Sequence, residues 1–149
     1  MKRQKGAAFG CYAWFGIYGK FRPDAITERL GLEPFRIKKM NEHCAFSVAF
    51  NESDWEFGKC EAYNRDIDEL LRETIKPLLD KIDILNQIRK ENDVRFCLHA
   101  HTEIYGDWPM PWVGPSLEVM DFCAKTRTEM SMGVSVDGKI IKLPSVFSP

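Results

Sequence analysis

Between Asn64 and Glu91 the apolar residues Ile67, Leu70, Leu71, Ile75, Leu78, Leu79, Ile82, Leu85 and Ile88 recur at steps of mostly three and four. That spacing makes one stripe of an amphipathic helix, and such a stripe has to be buried against a second layer. Asn64 is placed to cap its start. Pro77 lies inside the pattern. It lacks an N–H and its ring collides with the preceding turn, so the helix kinks there or splits in two. Asp68, Asp80 and Asp83 fall on the opposite, solvated face.

The rest of the chain supplies strands for that helix to cover. Ala8 to Tyr18 has Cys11, Ala13, Phe15 and Ile17 on one parity and Tyr12, Trp14 and Tyr18 on the other. A strand apolar on both faces is central or covered on both sides. Pro23-Asp24 opens a short helix with Ala25, Ile26 and Leu30 on its apolar side; Gly31 caps it and Pro34 prevents its return. Phe35 to Glu42 reads as a basic loop or extended edge. Cys44 to Phe50 alternates as a half-buried strand, and Trp55 and Phe57 suggest a return segment or short edge strand. Val94 to Ile104 is a strand with Phe96, Leu98 and Ala100 on one side and Cys97, His99 and His101 on the other. Ser116 caps a helix through about Cys123, with Leu117, Met120 and Cys123 or Ala124 expected inside. Met130, Met132, Val134 and Val136 alternate as a further strand. Asp137-Gly138 marks a tight hairpin, with Lys139 to Leu143 returning and Pro144 ending it.

The simplest layered solution is α+β: a mixed, largely antiparallel sheet with helices packed on one face, ferredoxin-like with elaborations. No linker or repeat divides the chain, so residues 1–149 read as a single domain with a flexible basic N-terminus over residues 1–7. The net charge of −1, from 21 basic and 22 acidic residues, argues against a dedicated nucleic-acid binder. Lys2, Arg3 and Lys5 precede an apolar run that superficially resembles a signal peptide. The run is short and rich in Tyr and Trp, which suits a strand better. No stretch approaches the length of a membrane-spanning helix. The five cysteines are odd in number and include no C-x-x-C pair, which fits a reducing cytoplasm.

The opening strand leads into Pro23-Asp24-Ala25-Ile26-Thr27-Glu28-Arg29-Leu30-Gly31-Leu32-Glu33-Pro34, and basic residues follow. The run D-x-I-T-x-x-L-G-L-x-P resembles the start of a bacterial family of domains of unknown function, number 4279. Trp55, the Leu-rich helix, the strand after Asp93 and the strand at Met130 to Asp137 follow the same layout, so the likeness spans about residues 8 to 138. The resemblance implies a small cytosolic bacterial domain. The family has no assigned activity, so it implies no catalytic residues. The motif also has a purely structural reading: Gly31 caps, Leu30 and Leu32 bury, and Pro34 redirects the chain.

Three features carry candidate chemistry. Cys97, His99 and His101 form C-x-H-x-H on a strand, which puts both imidazoles on one face where they could share a metal ion. His43, Cys44 or Glu103 could supply a third ligand; alternatively the trio is simply the polar face of the strand. Tyr105, Trp108 and Trp112 lie in a loop stiffened by Pro109, Pro111 and Pro115. Rigid aromatics there suit contact with a protein or small ligand, or could fold back as a lid on the sheet edge. Arg36, Lys38 and Lys39 form a basic cluster able to meet an anion, or a solvated loop. No P-loop, G-x-G-x-x-G or G-x-S-x-G motif is present, and no cofactor is implied. The expectation is therefore a non-enzymatic binding or protein-interaction domain, immunity-type roles included. The alternative is a metal-dependent hydrolase or metal sensor centred on His99 and His101.

Overall fold

The structure, a computed structural model, describes residues 2–42 and 51–140. The expected strand at Cys44 to Phe50 and the hairpin return beyond Ile140 lie outside the described residues. Strand β1 (Phe9–Lys20) runs inside the sheet. It pairs antiparallel with β3 (Ser53–Tyr63) on one side and β4 (Asp93–Ile104) on the other. β2 (Arg36–Lys38) lies outside β3; β5 (Thr128–Val136) runs parallel to β4 and forms a hairpin with β6 (Lys139–Ile140). The order across the sheet is β2-β3-β1-β4-β5-β6.

Helices α1 (Pro23–Leu30), α2 (Ile67–Ile75), α3 (Ile82–Glu91) and α4 (Leu117–Thr126) cover one face, giving the α+β class expected. The finer, ferredoxin-like expectation rests on connectivity alone: the first four strands run β-α-β-β-α-β. Beyond them α4, β5 and β6 are additions that bring a parallel pair into the sheet.

The core forms between the covered face and the helices. Cys11, Ala13, Phe15 and Ile17 of β1 are buried there with Phe96, Leu98, Ile26, Leu30, Leu70, Leu71 and Phe122. Each large apolar side chain so placed contributes about 1.5–3 kcal/mol of transfer free energy. Trp55 is also fully buried, and its Nε1 donates to Thr27 Oγ1 at 3.0 Å, tying β3 to α1. β3 is thus an interior strand of eleven residues rather than a short edge. Asp54 and Glu56 flank Trp55 and give the segment a solvated look in sequence, yet both are buried on the opposite face.

Pro77 splits the long pattern. α2 ends at Ile75, a 3₁₀ turn spans Lys76–Lys81, and α3 begins at Ile82. The tighter turn rotates the apolar stripe. Leu78 stays fully buried while Leu79, expected on the same stripe, is 38% exposed. The cap also differs. Asp66 holds the N-cap position, and Asn64 turns into the left-handed region, where its Oδ1 accepts the Ala8 N–H at 2.9 Å.

α1 matches its sequence signals: Pro23 opens it, and left-handed Gly31 closes it by donating to Thr27 O at 2.8 Å. α4 buries Cys123 as expected but otherwise presents a different face. Val119, Phe122, Cys123 and Thr126 are buried, because that three-and-four set is the one facing α2, α3 and β5. Leu117 and Met120 point to solvent.

The 3₁₀ turn yields a paired prediction. Leu78→Ala is expected to cost about 2–5 kcal/mol, as a buried leucine truncation does. Leu79→Ala next to it should cost under about 1 kcal/mol. Urea denaturation of both variants decides; equal losses would mean that the stripe passes through Pro77 unrotated.

Candidate functional site

The face of the sheet away from the helices is lined by the even residues of β1 and by their neighbours in register. Tyr12 lies opposite His101 and Trp14 opposite His99. The four rings stand in one row. His99 stacks on Trp14 with centroids 4.5 Å apart, Trp14 on Tyr12 at 5.6 Å, and Tyr12 on His101 at 5.1 Å. On this side the row covers backbone that the helices leave bare. Next to it β3 bulges: Ala13 pairs with Cys60 but Phe15 with Phe57, so two residues, Gly58 and Lys59, oppose Trp14. A cavity of about 270 Å³ opens there between Tyr12, Trp14, Phe35, Arg36, Glu56 and Lys59.

Tyr18 ends the row. Its phenol folds back along β1 over Gly16, where a Cβ would stand 2.2 Å from Tyr18 Oη. Only glycine leaves room for that pose. It puts Oη 2.8 Å from His99 Nε2 and 2.9 Å from Glu56 Oε1. Burial pushes the Tyr18 phenol well above its ordinary value, and Glu56 adds to the shift. Burial also holds the His99 imidazole below its usual value, against the pull of Glu56. Cys97 lies two residues along β4, with Sγ 3.9 Å from His99 Nδ1.

His99 and His101 share this face as the C-x-H-x-H spacing requires, but their Nε2 atoms have separate partners. His99 Nε2 meets Tyr18, and His101 Nε2 meets Ser135 Oγ at 2.9 Å. Among the described residues no group of three or more His, Cys, Asp or Glu side chains is placed to hold a metal ion. The metal-centred alternative is therefore not supported by this geometry. Glu103 lies further along the same face of β4, and His43 and Cys44 fall outside the described residues.

The basic cluster is spent on neighbouring carboxylates. Arg36 lies 3.3 Å from Glu56 and 3.5 Å from Asp54, Lys38 lies 3.1 Å from Asp54, and Lys39 lies 3.6 Å from Asp24. These pairs explain how Asp54 and Glu56 tolerate burial.

The aromatic loop, residues 105–116, is on the helix side of the sheet. It is fixed at both ends. The Gly106 N–H donates to Asp137 Oδ1 at 2.9 Å, and the Ser116 N–H donates to Asp68 Oδ1 at 2.6 Å. Tyr105 is buried, with the Arg3 guanidinium 5.0 Å from its ring centroid, and so stands apart from the tryptophans. Trp108 and Trp112 are exposed at 59% and 75%, together with Met110, Leu117 at 80% and Ile140 at 77%. An apolar cavity of about 300 Å³ lies beneath, between Ile67, Met110, Val113, Met132, Val134 and Ile140.

Of the residues singled out in the sequence, the structure brings His99 and His101 to one face, exposes Trp108 and Trp112 on the other side, and pairs Arg36, Lys38 and Lys39 with carboxylates. Sequence reasoning missed Tyr18 and Glu56 as partners of His99. The shared parity of Tyr12, Trp14, Gly16 and Tyr18 was a readable signal. The register joining them to β4 was not.

The two imidazoles make stability depend on pH with a definite sign. Burial lowers both His99 and His101 in the folded chain. The unfolded chain therefore binds more protons once the pH drops below about 6.5. The contribution is complete above that value and is lost as the pH falls towards the lower folded values. The melting temperature should drop on acidification from about pH 7 to about pH 5. A His99→Gln, His101→Gln variant should show a shallower drop by calorimetry; an unchanged slope would exclude the histidines as its source.

No curated protein and no solved structure matches the chain. A family model described as a domain of unknown function (DUF4279) matches residues 9–137, from the first residue of β1 to the β5–β6 turn, and the chain belongs to that family.

Proposed function

We propose that this chain is a single-domain protein-interaction module of the bacterial cytoplasm that grips a partner protein through the loop between β4 and α4. The observation that carries the reading is the exposure of Trp108 and Trp112 on a loop whose two ends are fastened by hydrogen bonds. Large aromatic side chains held in place lose little entropy on binding and dominate interface energetics. Met110, Leu117 and Ile140 widen the apolar contact, and the cavity below gives an inserted side chain somewhere to go. An immunity-type role, in which occupation of a partner's surface is itself the activity, fits such a patch.

Two further features support the setting. Cys11, Cys60, Cys97 and Cys123 are all unpaired, as thiols are in a reducing compartment. The net charge of −1 favours an apolar contact over a phosphate backbone. No helix among the described residues is long and apolar enough to cross a membrane.

The test uses wild type and a Trp108→Ala, Trp112→Ala variant, both tagged and matched for fold by circular dichroism. Each recovers partners from a lysate of the source bacterium. Any protein held by wild type alone is then purified and titrated. Truncation of a central tryptophan commonly costs about 2 kcal/mol or more, so affinity should fall at least about tenfold. Tryptophan emission of wild type should shift to the blue on binding. Equal affinity of the two preparations would remove the loop as the contact.

A further inference from the structure

The hydrogen bonds around His99 fix where its proton is. Glu56, paired with Arg36, is a carboxylate and can only accept, so the single Tyr18 hydroxyl proton points to Glu56 Oε1. Tyr18 Oη is then an acceptor for His99, which requires the proton on Nε2. That tautomer leaves the lone pair of Nδ1 facing Cys97 Sγ at 3.9 Å. The thiol is partly exposed. Its neighbour in register on β1 is Gly16, and the phenol lying over Gly16 belongs to the same hydrogen-bonded chain. A thiol, a base and a two-residue orienter of that base thus stand in sequence on one sheet face.

We infer that Cys97 is a base-assisted thiol that exchanges with small disulfides, with His99 taking its proton and Tyr18 and Glu56 holding His99 in the required tautomer. Sγ attacks one sulfur of the disulfide as its proton passes to His99 Nδ1. The S–S bond of the reagent breaks, a mixed disulfide forms on Cys97, and the departing thiolate takes the proton from His99. One thiol is oxidised and one half of the reagent is reduced, so electrons and protons balance. While His99 carries the extra proton, the Nε2–H to Tyr18 to Glu56 chain stabilises the imidazolium, as the buried acid of a triad does. Burial, with Glu129 adding to it, pushes the Cys97 thiol up, partly offset by a hydrogen bond with the Ser131 backbone and by Arg95. Burial holds His99 down. Both shifts favour the neutral pair, so the proton moves to His99 only as Sγ attacks and not before. The inference concerns the opposite side of the sheet from the loop and does not depend on the binding reading.

The probe is dithiobis-nitrobenzoate, a chromogenic disulfide, applied to the whole chain with labelled cysteines identified by peptide mass. Unassisted thiols react about tenfold faster per pH unit below their pKa, because only the thiolate attacks. In wild type, Cys97 labelling should rise by less than about threefold per unit between about pH 6.5 and pH 8, since the base supplies the missing thiolate character. His99→Gln should slow Cys97 at least about tenfold at neutral pH and restore the steep profile. Tyr18→Phe frees His99 to place its proton on Nδ1, so it should also steepen the profile even if His99→Gln does not fold. Labelling of Cys60 serves as the internal reference and should not change. A steep wild-type profile at Cys97, or an unchanged profile in Tyr18→Phe, would overturn the inference.

Discussion

Everything in this molecule hangs on β1 being flanked on both edges. Hydrogen bonds to β3 and β4 fix its register along nearly its whole length, and that register decides what meets on each face. Odd positions send Phe15 and Ile17 into the core against Phe96 and Phe122. Even positions raise Tyr12, Trp14 and Tyr18 on the other side, beside His99 and His101. A slip of one residue would exchange the two sets and destroy both layers at once, so core packing and the ring row reinforce the same pairing.

Much of this architecture was legible in the sequence. The double-sided apolar pattern of residues 8 to 18 identified a central strand, and the Pro23 and Gly31 signals bounded α1 because backbone restrictions act locally. The Asp137-Gly138 turn was readable for the same reason, and both residues adopt positive φ. Misreadings arose where a distant partner changed a residue's meaning. Asp54 and Glu56 looked solvated until Arg36 and Lys38 came to lie over them. Leu117 and Met120 looked like core because they are apolar, whereas Val119 and Phe122 occupy the side of α4 that neighbouring helices cover. The candidate site was legible in its parts but not in its connections. His99 stood out, yet its partners come from residues far away in the chain, and no spacing rule reaches them.

The two sides of the sheet have different characters. The helix side ends in a fastened loop that shows rings and aliphatic chains to solvent. The opposite side carries a chain of polar side chains whose protons have assigned positions, set among stacked rings. Gly16 makes this arrangement possible, since the phenol reaches His99 only because β1 has no side chain at that position.

Among the described residues, β2 is the outer strand on its side of the sheet. Only three residues pair there, and Arg36 and Lys38 commit their charges inward to Asp54 and Glu56. Among the described residues, a border so short and so occupied with its own ion pairs is a poor template for an extra strand from a sister molecule. Crowded copies are thereby discouraged from zipping into fibres along this side.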